Sequence, residues 1–162
     1  KKLLADAGYA KGFTFTLDTP NYDPHPTAAA FIKSELAKVG ITVNINIITD
    51  DTWYNKVYKA RDFQATLQEH VNDRDVVWYG NPDFYWGYNN PTVIKLVADS
   101  EATNGTALQA AILKRANRII VKEAASDWIY LYPQIVVASA GVSGYPVNGL
   151  NSQFFAYNIV KN

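Results

Sequence analysis

The chain has 162 residues, 48% of them hydrophobic and 19% charged: enough apolar side chain for one packed domain, and too little charge for a disordered one. Lys+Arg and Asp+Glu both number 15, so the basic surplus that nucleic acid or an acidic membrane surface requires is missing. With no cysteine, disulfides, thiolate metal sites and thiol catalysis are excluded. No apolar run approaches the roughly 20 residues that span a bilayer. The chain opens on Lys1-Lys2 and contains no methionine, so it is expected to be a piece of a longer polypeptide, and the lack of an export signal in it says nothing of where that parent lives.

Leu3, Leu4 and Ala7 are at helical spacing, with Gly8 and Gly12 as punctuation. Phe13 to Leu17 alternates apolar and polar residues, the period of a half-buried strand. Asp23-Pro24 predicts a helix start, with Ala28, Phe31, Ile32, Leu36 and Val39 as its apolar stripe and Gly40 as its left-handed stop. Ile41, Val43, Ile45 and Ile47 form the next strand. Strand, helix, strand is a βαβ unit with parallel strands. Asp50-Asp51-Thr52 is expected to cap a short helix carrying Trp53, Val57 and Tyr58, before a third strand over Phe63 to Leu67.

From Glu69 to Asn90 the periodicity fails and a long loop is expected, a length often reserved for function. Asn90-Pro91 starts a helix with Val93, Leu96 and Val97 inward, and a longer helix follows Thr103-Asn104-Gly105 with Leu108, Ile112, Ala116, Ile119 and Ile120 inward. Trp128 to Tyr132 and Ile135 to Ser139 read as strands split by Pro133, Gly141 to Ser152 as a loop, and Phe154 to Val160 as a last short strand. The fold class is α/β: a mainly parallel or mixed sheet flanked by helices, in a single domain over residues 1–162.

The richest local feature is Trp78-Tyr79-Gly80-Asn81-Pro82-Asp83-Phe84-Tyr85-Trp86-Gly87-Tyr88, which holds six of the 22 aromatic residues. Two readings stand. The rings of Trp78, Tyr79, Trp86 and Tyr88 line a ligand cleft, where flat faces with polar tips give contact area at little entropic cost; or the loop folds on itself as a satellite core. Asp73 and Asp75 could anchor a cationic group by charge-assisted hydrogen bonds, or form surface ion pairs. His25 and His70 are the only histidines and lack paired spacing, so no metal is expected. The sequon Asn104-Gly105-Thr106 is read as a helix start.

The order of motifs resembles the peptide/nickel-type (family 5) extracellular solute-binding proteins of ABC transporters. The resemblance lies in Lys1 to Tyr9 with Gly12 to Leu17, Leu36-Ala37-Lys38-Val39-Gly40-Ile41-Thr42-Val43, Gly87-Tyr88-Asn89-Asn90-Pro91, Trp128 to Pro133, and Gly141-Val142-Ser143-Gly144. It implies the carboxyl-terminal lobe of a two-lobe clamshell that closes on an oligopeptide or similar small solute and delivers it to a membrane permease. It implies no enzyme activity, no cofactor and no nucleic-acid partner, and a location at the extracellular face of the membrane or in a periplasm, with a lipoprotein parent. Ligand contacts would come from Asp73, Asp75, Trp78, Tyr79, Trp86, Tyr88 and Asn89. Other readings are an oligosaccharide-binding member of the family, a glycoside-processing domain using Glu69, Asp73, Asp75 or Asp83, and a protein-interaction module.

Overall fold

The computed structural model describes residues 1–72, 74–131, 133, 135–146 and 155–161. They form two compact units, Lys1–Asn117 and Arg118–Asn162. The first unit holds a parallel three-stranded sheet of order β2-β1-β3, made of β1 (Thr14–Pro20), β2 (Thr42–Ile48) and β3 (Ala65–Thr66). Around it are α1 (Lys2–Asp6), α2 (His25–Ala37) and α3 (Asp50–Trp53), the last running into a π-helical turn, Tyr54–Lys59. A 3-10 helix (Asp75–Gly80) and α4 (Pro91–Glu101) follow, then α5 (Thr106–Lys122). The second unit carries an antiparallel pair, β4 (Val142–Ser143) with β5 (Val160–Lys161), and a 3-10 turn, Ala156–Asn158. The α/β class with a parallel sheet flanked by helices is as expected.

Strand alternation explains the layering. Phe15 pairs with Val43 and Leu17 with Ile45, and these face α2, whose Ala29 is fully buried among Leu17, Ile41 and Val43. Neighbouring residues point the other way. There Asp18, 1% exposed, accepts from Asn46 Nδ2 at 2.5 Å and from Lys56 Nζ at 2.9 Å. A buried carboxylate persists only when paired and hydrogen-bonded. This one ties two strands to the π-helical turn.

Several local expectations shift. α2 begins at His25 with Pro24 at the cap position and no side-chain cap, because a proline ring carries no hydrogen-bond acceptor; Asp23 does not cap it. Its buried stripe runs through His25 and Ala29, and Phe31 is 66% exposed. α3 is capped one residue early, by Thr49, which accepts from the Thr52 amide at 3.2 Å. β3 is shorter than expected. Leu108 is exposed and Leu113 is buried instead. The described residues of 128–139 form no strand: a strand needs a partner's N–H and C=O groups, and they take part in neither strand pairing of the described residues. Leu131 and Val137 are 96% and 91% exposed. Tyr132 and Phe154 lie outside the described residues.

Candidate functional site

In a parallel sheet the carboxyl ends of all strands share one edge, and ligands gather where the strand order reverses. Here that point lies between β1 and β3. The loops after them are stitched together. Thr19 Oγ1 donates to the Leu67 carbonyl at 3.1 Å, and Thr66 Oγ1 donates to the Asp18 carbonyl at 2.9 Å while accepting from Trp53 Nε1 at 2.9 Å. His25, 3% exposed, accepts the Glu69 amide proton at Nε2 (3.0 Å), so the Nδ1 facing the Tyr22 carbonyl at 3.1 Å carries the hydrogen. Tyr22 packs edge-on to His25 at 4.5 Å. Its phenol is pushed up, first by partial burial and then by Asp50 and Glu69.

The loop from Glu69 to Asn89 is held by local bonds. Its 3-10 helix starts after Arg74, which has φ 50°. Asp83 N–H bonds Asn81 Oδ1 at 2.9 Å, and the Arg61 guanidinium donates to the Asp83 carbonyl. Gly80 admits the neighbouring helix: a Cβ there would lie 2.7 Å from Val97 Cβ. The rings close on each other. Tyr79 stacks on Trp86 (4.3 Å, 21°) and Trp78 on Phe84 (4.8 Å, 27°). Tyr85 meets Trp53 edge-on at 5.4 Å, and Tyr88 meets Tyr79 at 5.7 Å.

A directed polar chain runs through this cluster. His70 Nδ1 is 3.2 Å from the Asp75 carboxylate and Nε2 is 2.8 Å from the Tyr85 hydroxyl. The carboxylate only accepts, so Nδ1 carries hydrogen, and in the neutral imidazole Nε2 accepts from Tyr85. The Tyr85 phenol is pushed far above its ordinary range by burial first, then by Tyr79, Asp75 and Tyr58, which keeps it a donor. His70 also lies flat against Trp86 at 5.4 Å. Two buried atoms of this region, Trp86 Nε1 and Gln68 Oε1, have no hydrogen-bond partner. Among the described residues no group of three His, Asp or Glu converges as for a metal, and no helix is long and apolar enough to cross a membrane.

Residues 1–75 match the family model for bacterial extracellular solute-binding proteins, family 5 (middle region). Over those residues the chain is similar to family 5. Solved structures add the fold. The murein tripeptide binding protein MppA of Escherichia coli is similar over 99% of this chain and 33% of its own, with TM-score 0.82 and 21% identity. A dipeptide binding protein from Pseudoalteromonas sp. SM9913, in complex with Met-Leu, matches 99% of this chain and 34% of its own at TM-score 0.68 and 20% identity. DppA from Helicobacter pylori, in complex with the peptide STSA, matches 76% and 26% at TM-score 0.61 and 22% identity. The chain thus spans about a quarter to a third of these structures' length. No curated protein sequence matches it.

The family 5 match stops at Asp75, so the aromatic loop lies just beyond it. Of the residues expected to face a ligand, Asp73 lies outside the described residues. Asp75 keeps a third of its side chain exposed while holding His70 and Asn72. Trp78, Trp86 and Tyr88 are half-buried and Asn89 is exposed. Tyr79 is 2% exposed: it backs the layer instead of lying on its surface, because Trp86 and Tyr88 cover it. Tyr22, His25, His70 and Tyr85 went unassigned from sequence as parts of this site. For Tyr22 and His25 a signal was available, since both follow the carboxyl end of a βαβ strand.

Proposed function

We propose that this chain supplies one wall of the solute cleft of a two-lobe binding protein serving an ABC importer, and that the solute is a short peptide. The supporting observation is the likeness over 99% of the chain to a tripeptide binding protein, combined with an aromatic loop rooted at the carboxyl edge of a parallel sheet, where α/β folds receive ligands. Trp78, Trp86 and Tyr88 offer partly exposed ring faces to a peptide, and Tyr79 supports them from behind. Asn89 presents an amide for the peptide backbone. Asp75, with Asp73 beside it in sequence, attracts the terminal ammonium, and His70 holds the Asp75 carboxylate in place. No covalent chemistry follows from this arrangement. The parent closes by hinge motion and hands the closed form to its permease outside the membrane, from a periplasm or from a lipid anchor.

Trp86 is a poor probe of this reading, since its removal would also unstack Tyr79 and His70. Asp75→Asn is cleaner, because the amide oxygen still accepts from His70. In the two-lobe protein, calorimetry with a free tripeptide should show about tenfold weaker binding (~1.4 kcal/mol). The N-acetylated tripeptide should lose nothing. Equal losses for both peptides, or none for either, would sink the ammonium role. Tight binding of an oligosaccharide with no response to peptides would replace the solute class.

A further inference from the structure

The 3-10 helix Asp75–Gly80 and α4 meet where Gly80 lies against Val97. Around that contact Val77, Trp78, Gly80 and Asn81 on one side, and Val97 and Glu101 on the other, line an open recess of about 290 Å³, near the small end of ligand sites. Its walls are chemically unequal. Val77 and Val97 are aliphatic. Trp78 is stacked on Phe84 and also borders the recess, so it brings aromatic surface there.

Glu101 is the charged member, and its placement breaks a helix rule. It is the last residue of α4, a helix with no basic residue in its final turn, so its carboxylate sits at the negative end of the helix dipole. The one nearby lysine on the same helix, Lys95, is committed to Asp99 at 2.8 Å. Glu101 is exposed and has no ion-pair partner among the described residues. Local rules broken without compensation are expected where a ligand compensates. A cation beside Glu101 would meet the carboxylate and the helix end in a recess that the Trp78 indole also lines. Guanidinium fits that combination best, because it is planar, stacks on aromatic rings and pairs with carboxylate through two parallel N–H groups.

We propose that this recess is a binding site for a small alkylguanidinium, its head at Glu101 and its aliphatic arm against Val77, Val97 and Trp78. The site needs only residues of this chain; it shares Trp78 with the peptide reading, but its readout is separate from that reading's, which is peptide affinity in the two-lobe protein. The test is a titration of n-butylguanidinium into the 162-residue chain, followed by NMR at the tryptophan indole N–H signals. The neutral planar amide valeramide serves as comparison. Butylguanidinium should shift the Trp78 signal and bind about five-fold or more tightly than valeramide, the margin one partly exposed ion pair gives. Glu101→Gln, at an exposed position, should keep the melting temperature and erase that preference, and Glu101→Lys should abolish guanidinium binding. No response of Trp78 to butylguanidinium, equal binding of the two probes, or a preference that survives in Glu101→Gln would each overturn the proposal.

Discussion

The cluster against α2 and the cluster around Trp53 are both hydrophobic, but they are assembled differently. Leu17, Ala29, Ile41 and Val43 come from two strand segments and a helix, each at the period of its own element. Trp53, Val57, Phe84 and Tyr85, with Trp78 and Trp86 packed on them, come from a short helix, a π-helical turn and an irregular loop. The first cluster is held by burial alone, which is non-directional. The second adds directed bonds through His70, Asp75 and Tyr85, and leaves the indole N–H of Trp86 unsatisfied. An aliphatic core can serve as scaffold and nothing else, whereas a ring cluster with polar tips can meet both a solute and its own support.

The largest effect that separates the two belongs to the aliphatic side. Leu17, 5% exposed, loses its transfer energy and leaves a cavity when cut to alanine, so Leu17→Ala should lower the unfolding free energy by about 3 kcal/mol. Urea melts would measure this, while peptide affinity per folded molecule should stay as it was. An affinity loss of tenfold in this variant would mean that the two clusters are not energetically separable.

How far each cluster is legible in the sequence follows from the same contrast. The strand period of Phe13 to Leu17 and Ile41 to Ile47, and the Asn90-Pro91 start, mark elements that the structure contains, because one side chain per turn or per pair of residues decides burial there. Asn90 Oδ1 accepts from the Thr92 and Val93 amides at 2.9 and 3.2 Å. In the ring loop no period exists to read. That Tyr79 lies inside while Trp78 borders a recess depends on which neighbour covers which ring, a three-dimensional fact. The His70 chain joins residues 5 and 15 positions apart, a spacing that no short motif encodes. Trp128 to Ser139 misled for a different reason: alternating apolar residues satisfy the strand pattern, but pattern alone supplies no partner strand.

Gly80→Ala gives the next effect. The added methyl meets Val97 Cβ and both its γ carbons within 3.0 Å, and a β-branched side chain on a helix has no free rotamer to retreat into. Overpacking of this kind should cost about 2 kcal/mol. It should also shift the Trp78 and Tyr79 signals in NMR without disturbing those of Val43. A variant as stable as the parent would show that the 3-10 helix and α4 are free to move apart.

The smallest effect at neutral pH is the most specific to the ring cluster. Tyr85→Phe keeps the ring contacts and removes only the donor to His70 Nε2, an acceptor then left in a mostly buried place. The expected cost is about 1 kcal/mol near pH 7. The sign should change with alkali. In the unfolded chain a tyrosine ionises around 10.0, whereas folded Tyr85 holds its proton to higher pH. The unfolded state therefore sheds a proton that the folded state keeps. The stability Tyr85 contributes is complete below the unfolded value and declines as pH climbs above it. Between pH 8 and pH 11 the parent should lose about 1.4 kcal/mol relative to Tyr85→Phe, enough to cancel or reverse the neutral-pH difference. Paired urea melts at pH 8, 10 and 11 measure it, and background titration of lysines cancels between the two proteins. A parent-minus-variant difference that stays flat across that range would mean that Tyr85 ionises as readily folded as unfolded, and the Asp75–His70–Tyr85 chain would lose its support.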